Sequence, residues 1–157
     1  MKLLLLHIFL IYSQIVLSQR RDTIMEVFND HNLIPYFQCN EGACHGYKVE
    51  YFADNKKHIE GKFKHGKAVG VVKTYYKTGQ LQDERDFRNG KLIHSITYNT
   101  DGKLIRDLNF RKQVSTEYQY DDQGKVKRKV VFYWKGLGWD KGEKTVFIIK
   151  DDNWVKE

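Results

Sequence analysis

The sequence predicts an all-β protein. The expected form is an elongated antiparallel meander of about four 22–24-residue β-hairpin repeats, with a short N-terminal cap and a C-terminal strand. Three observations carry this. Residues 45–67 and 69–91 repeat one another at an offset of 24, matching Gly46 with Gly70, Tyr51 with Tyr75, Phe63 with Phe87 and Gly66 with Gly90. Within each copy, polar and apolar residues alternate around Gly-containing turns. Aromatic residues make up 14% of the chain while Pro occurs once, a balance that favours strands over disorder.

The elements follow in order. Residues 1–18 read as a secretory signal peptide: Lys2 supplies the positive start, Leu3 to Leu17 the apolar run, and Val16 and Ser18 the small residues before a cleavage point at Gln19. The alternative is an uncleaved anchor, for which the run falls short of the ~20 residues a spanning helix needs. Export places the chain in the periplasm, at the cell surface or outside the cell. Residues 19–44 form a capping segment. Asp22 or Thr23 starts either a short helix over Ile24 to His31 or a leading strand, and Ile24, Val27 and Phe28 would cover the open end of the sheet. Cys39 and Cys44 in an oxidising compartment read as one short-loop disulfide, with two unpaired thiols as the alternative.

The repeats occupy residues 45–133. Runs such as "VEYF" and "VVKTYY" lead into turns with Asn55, Gly79, Gly102 or Gly124, residues that accept a left-handed backbone. Leu81, Asp83, Arg85 and Phe87 then alternate, as do Leu104, Arg106, Leu108 and Phe110, and Val126, Arg128, Val130 and Phe132. "KHGK" and "RNGK" close the first two units. A fixed period in the twenties marks stacked units that bury a continuous core only together. In residues 134–157, "KTVFII" reads as a buried or paired strand, preceded by a flexible loop and followed by a short tail.

The pattern G-x4-Y-x3-G-x-L, followed by an aromatic residue and N-G-K, resembles the MORN-repeat variant family. In bacteria that variant is known as the antitoxin component of YwqK-type toxin–antitoxin modules. Residues 46–67 and 70–91 carry the pattern best. His94 stands where the third copy should begin with Gly, the fourth copy lacks the closing N-G-K, and Asn55 replaces the first turn Gly. The resemblance implies a non-catalytic β-repeat scaffold.

Chemistry-bearing clusters are sparse. Cys39, Cys44 and His45 lack the second ligand pair of a zinc site. Cys44 and His45, adjacent on a strand, point to opposite faces and make a poor catalytic pair. The carboxylate pairs Asp83/Glu84, Asp121/Asp122 and Asp151/Asp152 read as solvated. The sequence therefore predicts no enzyme, metal or cofactor. Tyr51, Tyr75, Tyr76, Tyr98 and Tyr120 form a repeating aromatic row. Lys127 and Lys129 lie with Lys125 on one face of "KVKRKVVFYWK". These residues are the candidate interaction surface, although simple cross-strand packing is the commoner role for such tyrosines. A net charge of +7 permits acidic partners without requiring them. The expected role is an exported protein-interaction module. The alternatives are an antitoxin- or immunity-like protein and a module bound to an anionic lipid or glycan surface; no nucleic acid is expected.

Overall fold

A computed structural model describes residues 22–29, 32–135, 142–150 and 153–157. The leader expected over residues 1–18 and most of the loop before the C-terminal strand lie outside these residues. Among the described residues, fourteen strands run in sequence: β1 Met25–Asn29, β2 Asn32–Cys39, β3 Gly42–Ala43, β4 Gly46–Tyr51, β5 Lys57–Lys64, β6 Lys67–Ala68, β7 Gly70–Tyr75, β8 Leu81–Arg88, β9 Lys91–Tyr98, β10 Leu104–Asn109, β11 Val114–Tyr120, β12 Val126–Trp134, β13 Gly142–Lys150 and β14 Asn153–Lys156. β1–β3 make a small sheet. The remaining strands form an open 11-stranded antiparallel meander in which each neighbours the next in sequence, with β6 a side branch on β5.

The repeat is visible in the backbone. Four turns share one hydrogen-bond pattern. Phe52, Tyr76, Asn99 and Asp121 each donate N–H to the carbonyl four residues on and accept one from the residue three on. That third residue is Asn55, Gly79, Gly102 or Gly124, with φ of 66°, 94°, 77° and 80°. Asn55 thus takes the left-handed geometry of the glycine it replaces. Four one-residue bulges follow the turns, at His58, Gln82, Ile105 and Lys127. They sit at the same offsets as the turns and shift the first residue of each second strand out of the simple alternation read from sequence.

The closing turns behave as their residues dictate. His65 and Gly66 both have positive φ (49° and 75°), as do Asn89 and Gly90 (52° and 78°). Positive φ at both central positions defines the type I′ hairpin turn, whose twist suits antiparallel strands. Gly46 and Gly70 also take positive φ and interrupt the leading strands of the first two units. His94, at the equivalent place in the third unit, lies within strand β9, where the interruption is reduced to a bulge at Ile93.

Asp22 to Asn29 does not form a helix. Its carbonyls and amides pair with β2, so Met25–Asn29 is a strand. The segment lies on a face of the large sheet. Lys48 on β4 binds Asp22 at 3.3 Å, while Arg85 on β8 binds Glu26 at 2.6 Å. The five residues from Asp22 to Glu26 therefore span three strand spacings, so the segment crosses the strands beneath it. Ile24, Phe37, Cys39, Cys44, Ile59, Phe63, Ala68, Val72 and Phe87 are buried between the layers. Phe37 packs on Phe63 at 4.8 Å and edge-on to Phe87 at 5.9 Å. Phe37 N–H also donates to Gly66 O, and Gly66 N–H to Cys44 O. The expected Cys39–Cys44 disulfide is formed and buried in this core. At the other end, β13 is paired on both sides, and the segment read as a tail forms strand β14.

Candidate interaction face

Register divides the large sheet into two faces. The inner face carries Lys48, Ile59, Phe63, Val72, Arg85 and Phe87 and meets the small sheet. Tyr47, Glu60, Val71, Lys73, Tyr75 and Glu84 share the outer face, and no described residue of β1–β3 packs there.

The outer face is organised around Glu60 on β5. Its carboxylate accepts hydrogen bonds from Tyr47 Oη at 2.8 Å, Lys57 Nζ at 2.9 Å and Tyr75 Oη. The residue is 9% exposed. Burial alone would raise its pKa, but the donors from Tyr75, Lys57 and Tyr47 together outweigh burial and hold it at about 2. Burial, reinforced by the bond to Glu60, pushes the Tyr75 phenol up. The Tyr47 phenol rises chiefly through its bond to Glu60. Lys73 beside it binds Glu84 at 3.0 Å. The result is a satisfied, ionised cluster whose chemistry is structural: the carboxylate is a poor base at neutral pH and its lone pairs are occupied.

The repeating tyrosines close the long-turn end of the sheet. Tyr51, Tyr75, Tyr98 and Tyr120 pair across strands with Lys57, Leu81, Leu104 and Val126. Adjoining units are tied together here. Tyr76 Oη donates to Tyr98 O at 2.8 Å, and Tyr120 Oη to Leu104 O at 2.6 Å. Lys56 Nζ donates to Lys77 O at 3.1 Å, and Lys103 Nζ sits 5.3 Å from the Tyr120 ring centre. Of the expected tyrosines only Tyr51 is exposed; Tyr75, Tyr76, Tyr98 and Tyr120 are half-buried.

The expected lysine face is interrupted. The bulge at Lys127 leaves that residue exposed and unpaired in the register, while Lys129 turns onto the outer face opposite Tyr118. Lys129 Nζ lies 4.7 Å from the Phe147 ring centre and 4.5 Å from that of Trp154, a cation–π clasp that fastens β13 and β14. The large apolar side chains that protrude from the outer face are Tyr47 (64% exposed), Tyr51, Val71, Tyr133 (52%) and Trp154. Tyr47 and Tyr133 fall outside the repeated tyrosine position, so the repeat pattern does not single them out. A scan of protein-family models and a search of curated proteins return no match to this chain.

Proposed function

We propose that this chain is an exported, non-catalytic β-repeat protein that acts by binding another protein, as an interaction module or scaffold. One observation carries the reading: a long sheet face left uncovered by the small sheet displays Tyr47, Val71, Tyr133 and Trp154 across strands β4 to β14. Aromatic side chains standing on a rigid sheet suit a protein contact, because little entropy is lost on fixing them. The buried disulfide supports export to an oxidising compartment. The recurring turns and bulges support kinship with the MORN-repeat variant family. In an antitoxin-like role, the partner would be a toxin bound through this same face.

The test is crosslinked capture of the tagged chain from its native cells, compared with a Tyr133→Ser/Val71→Glu variant. One dominant stoichiometric partner, lost in the variant, is the expected result, and its identity separates toxin neutralisation from scaffolding. A diffuse background, or a partner retained by the folded variant, would overturn the assignment.

A further inference from the structure

The short-turn end of the large sheet gathers cations that nothing balances. Lys64 faces Lys67 directly across the β5–β6 turn, and Arg88 faces Lys91 across the β8–β9 turn. Arg111 and Lys112 occupy the β10–β11 turn, and Lys135 ends β12. All seven are exposed, and among the described residues none forms an ion pair. Like charges directly opposite one another destabilise a hairpin. The carboxylates that share this end by register, Asp86 and Glu143, pair with none of the seven. The opposite end differs: there Asp54, Asp101, Asp121 and Asp122 intermix with the lysines, and Lys56 pairs with Asp54.

The cations are also periodic. Successive turns stand two strand spacings apart, so three cation pairs lie along one rim at intervals of roughly 10 Å. This is a line one sheet thick, not a broad patch. Exposed tyrosine rings border it: Tyr36, packed against Gly66, then Tyr47 and Tyr133.

We propose that this rim binds a linear acidic polysaccharide bearing one anionic group per disaccharide. The interval between cation pairs is about the length of one disaccharide, so successive anions meet successive turns. The bordering tyrosines offer flat apolar faces to sugar rings while their hydroxyls stay in water. Nucleic-acid phosphates are spaced more closely than the pairs, and a bilayer surface has no linear repeat to match them. The rim adjoins the outer face proposed above for a protein partner and shares Tyr47 and Tyr133 with it, but its cations lie at the turns and not on that face.

Hyaluronan fragments of one to four disaccharides, titrated calorimetrically into the full chain at low ionic strength, test the proposal. Affinity is expected to climb about five-fold with each disaccharide up to three, as each new anion meets two exposed cations, with a smaller last step at Lys135. Lys67→Glu combined with Lys91→Glu turns two like-charge pairs into opposite-charge pairs. This variant should melt no lower than the parent yet bind the longest fragment at least about 25-fold more weakly. Lys64→Gln with Arg88→Gln, which adds no acid, should lose binding in the same direction. Lys77→Glu with Lys125→Glu makes the same charge change at the opposite end and should bind as the parent does. Three results would overturn the assignment: affinity independent of length, equal weakening by the Lys77/Lys125 variant, or tighter binding to single-stranded RNA or anionic phospholipid vesicles than to hyaluronan.

Discussion

At Glu60 three donors converge on one carboxylate, and a pH dependence follows. Its pKa of about 2 lies below the ordinary 4.5, so the ionised form is favoured by folding. The stabilisation is complete above about pH 4.5 and drains away as pH falls toward 2. Its ceiling is about 3 kcal/mol. Melting curves across that window should show the parent losing Tm steeply while Glu60→Gln, already weaker at neutral pH, loses less; parallel curves would remove Glu60 from the account. Phe37 poses a packing question at the same scale. Fully buried between Phe63 and Phe87, it is the side chain that joins the two layers. Phe37→Ala should cost about 3–5 kcal/mol in denaturant unfolding. Reducing the Cys39–Cys44 disulfide, which closes a short loop, should cost about 2 kcal/mol by the same measurement.

The turn is the element that defines this protein. Gly79 has φ of 94° with only ordinary contact distance around an added Cβ, so Gly79→Ala would suffer from backbone strain alone. A loss of about 1 kcal/mol is expected, against a change within about 0.5 kcal/mol for Asn55→Gly at the equivalent place. Equal effects at the two positions would mean the units are not equivalent. This contrast also shows what was readable in advance. Turn residues advertise themselves because a positive φ is a local demand, met by Gly or Asn whatever lies elsewhere. The bulges at His58, Gln82, Ile105 and Lys127 left no such mark, because a bulge is a property of two strands in register. For the same reason the alternation read over Lys125, Lys127 and Lys129 did not show that Lys127 stands unpaired at a bulge. The Asp22–Asn29 segment carried both helical and strand signals. Pairing with β2 and contacts to Lys48 and Arg85, all distant in sequence, decided for the strand. β14 was too short to be told from a tail. The Glu60 cluster was invisible for a related reason: its donors come from three different strand positions, and no spacing along the chain brings Tyr47, Lys57 and Tyr75 together.

Across the whole molecule, stability should be graded. Strands β5, β7 and β8 lie under the small sheet and share its core, whereas β13 and β14 hold on by strand pairing and the Lys129 clasp. Amide exchange should therefore be slowest in β5–β8 and fastest in β14, with protection falling stepwise between them. Uniform protection along the meander would show that it opens as a single cooperative unit instead. The disulfide and Phe37 substitutions should lower the protected end and leave β13–β14 almost unchanged.

Each unit contributes two strands, and this even number has a consequence for ancestry. Duplicating one unit in the gene reverses the chain twice. Every later strand then keeps its direction, and its outer residues stay outer. The first two units are pinned by contacts with β1–β3, so a copy gained or lost there would misalign the core. Beyond β9, whose Leu92 packs on that core, no described strand contributes a buried residue to it. Lineages of this protein should therefore differ in length by multiples of one unit, with the changes falling in the later half of the sheet.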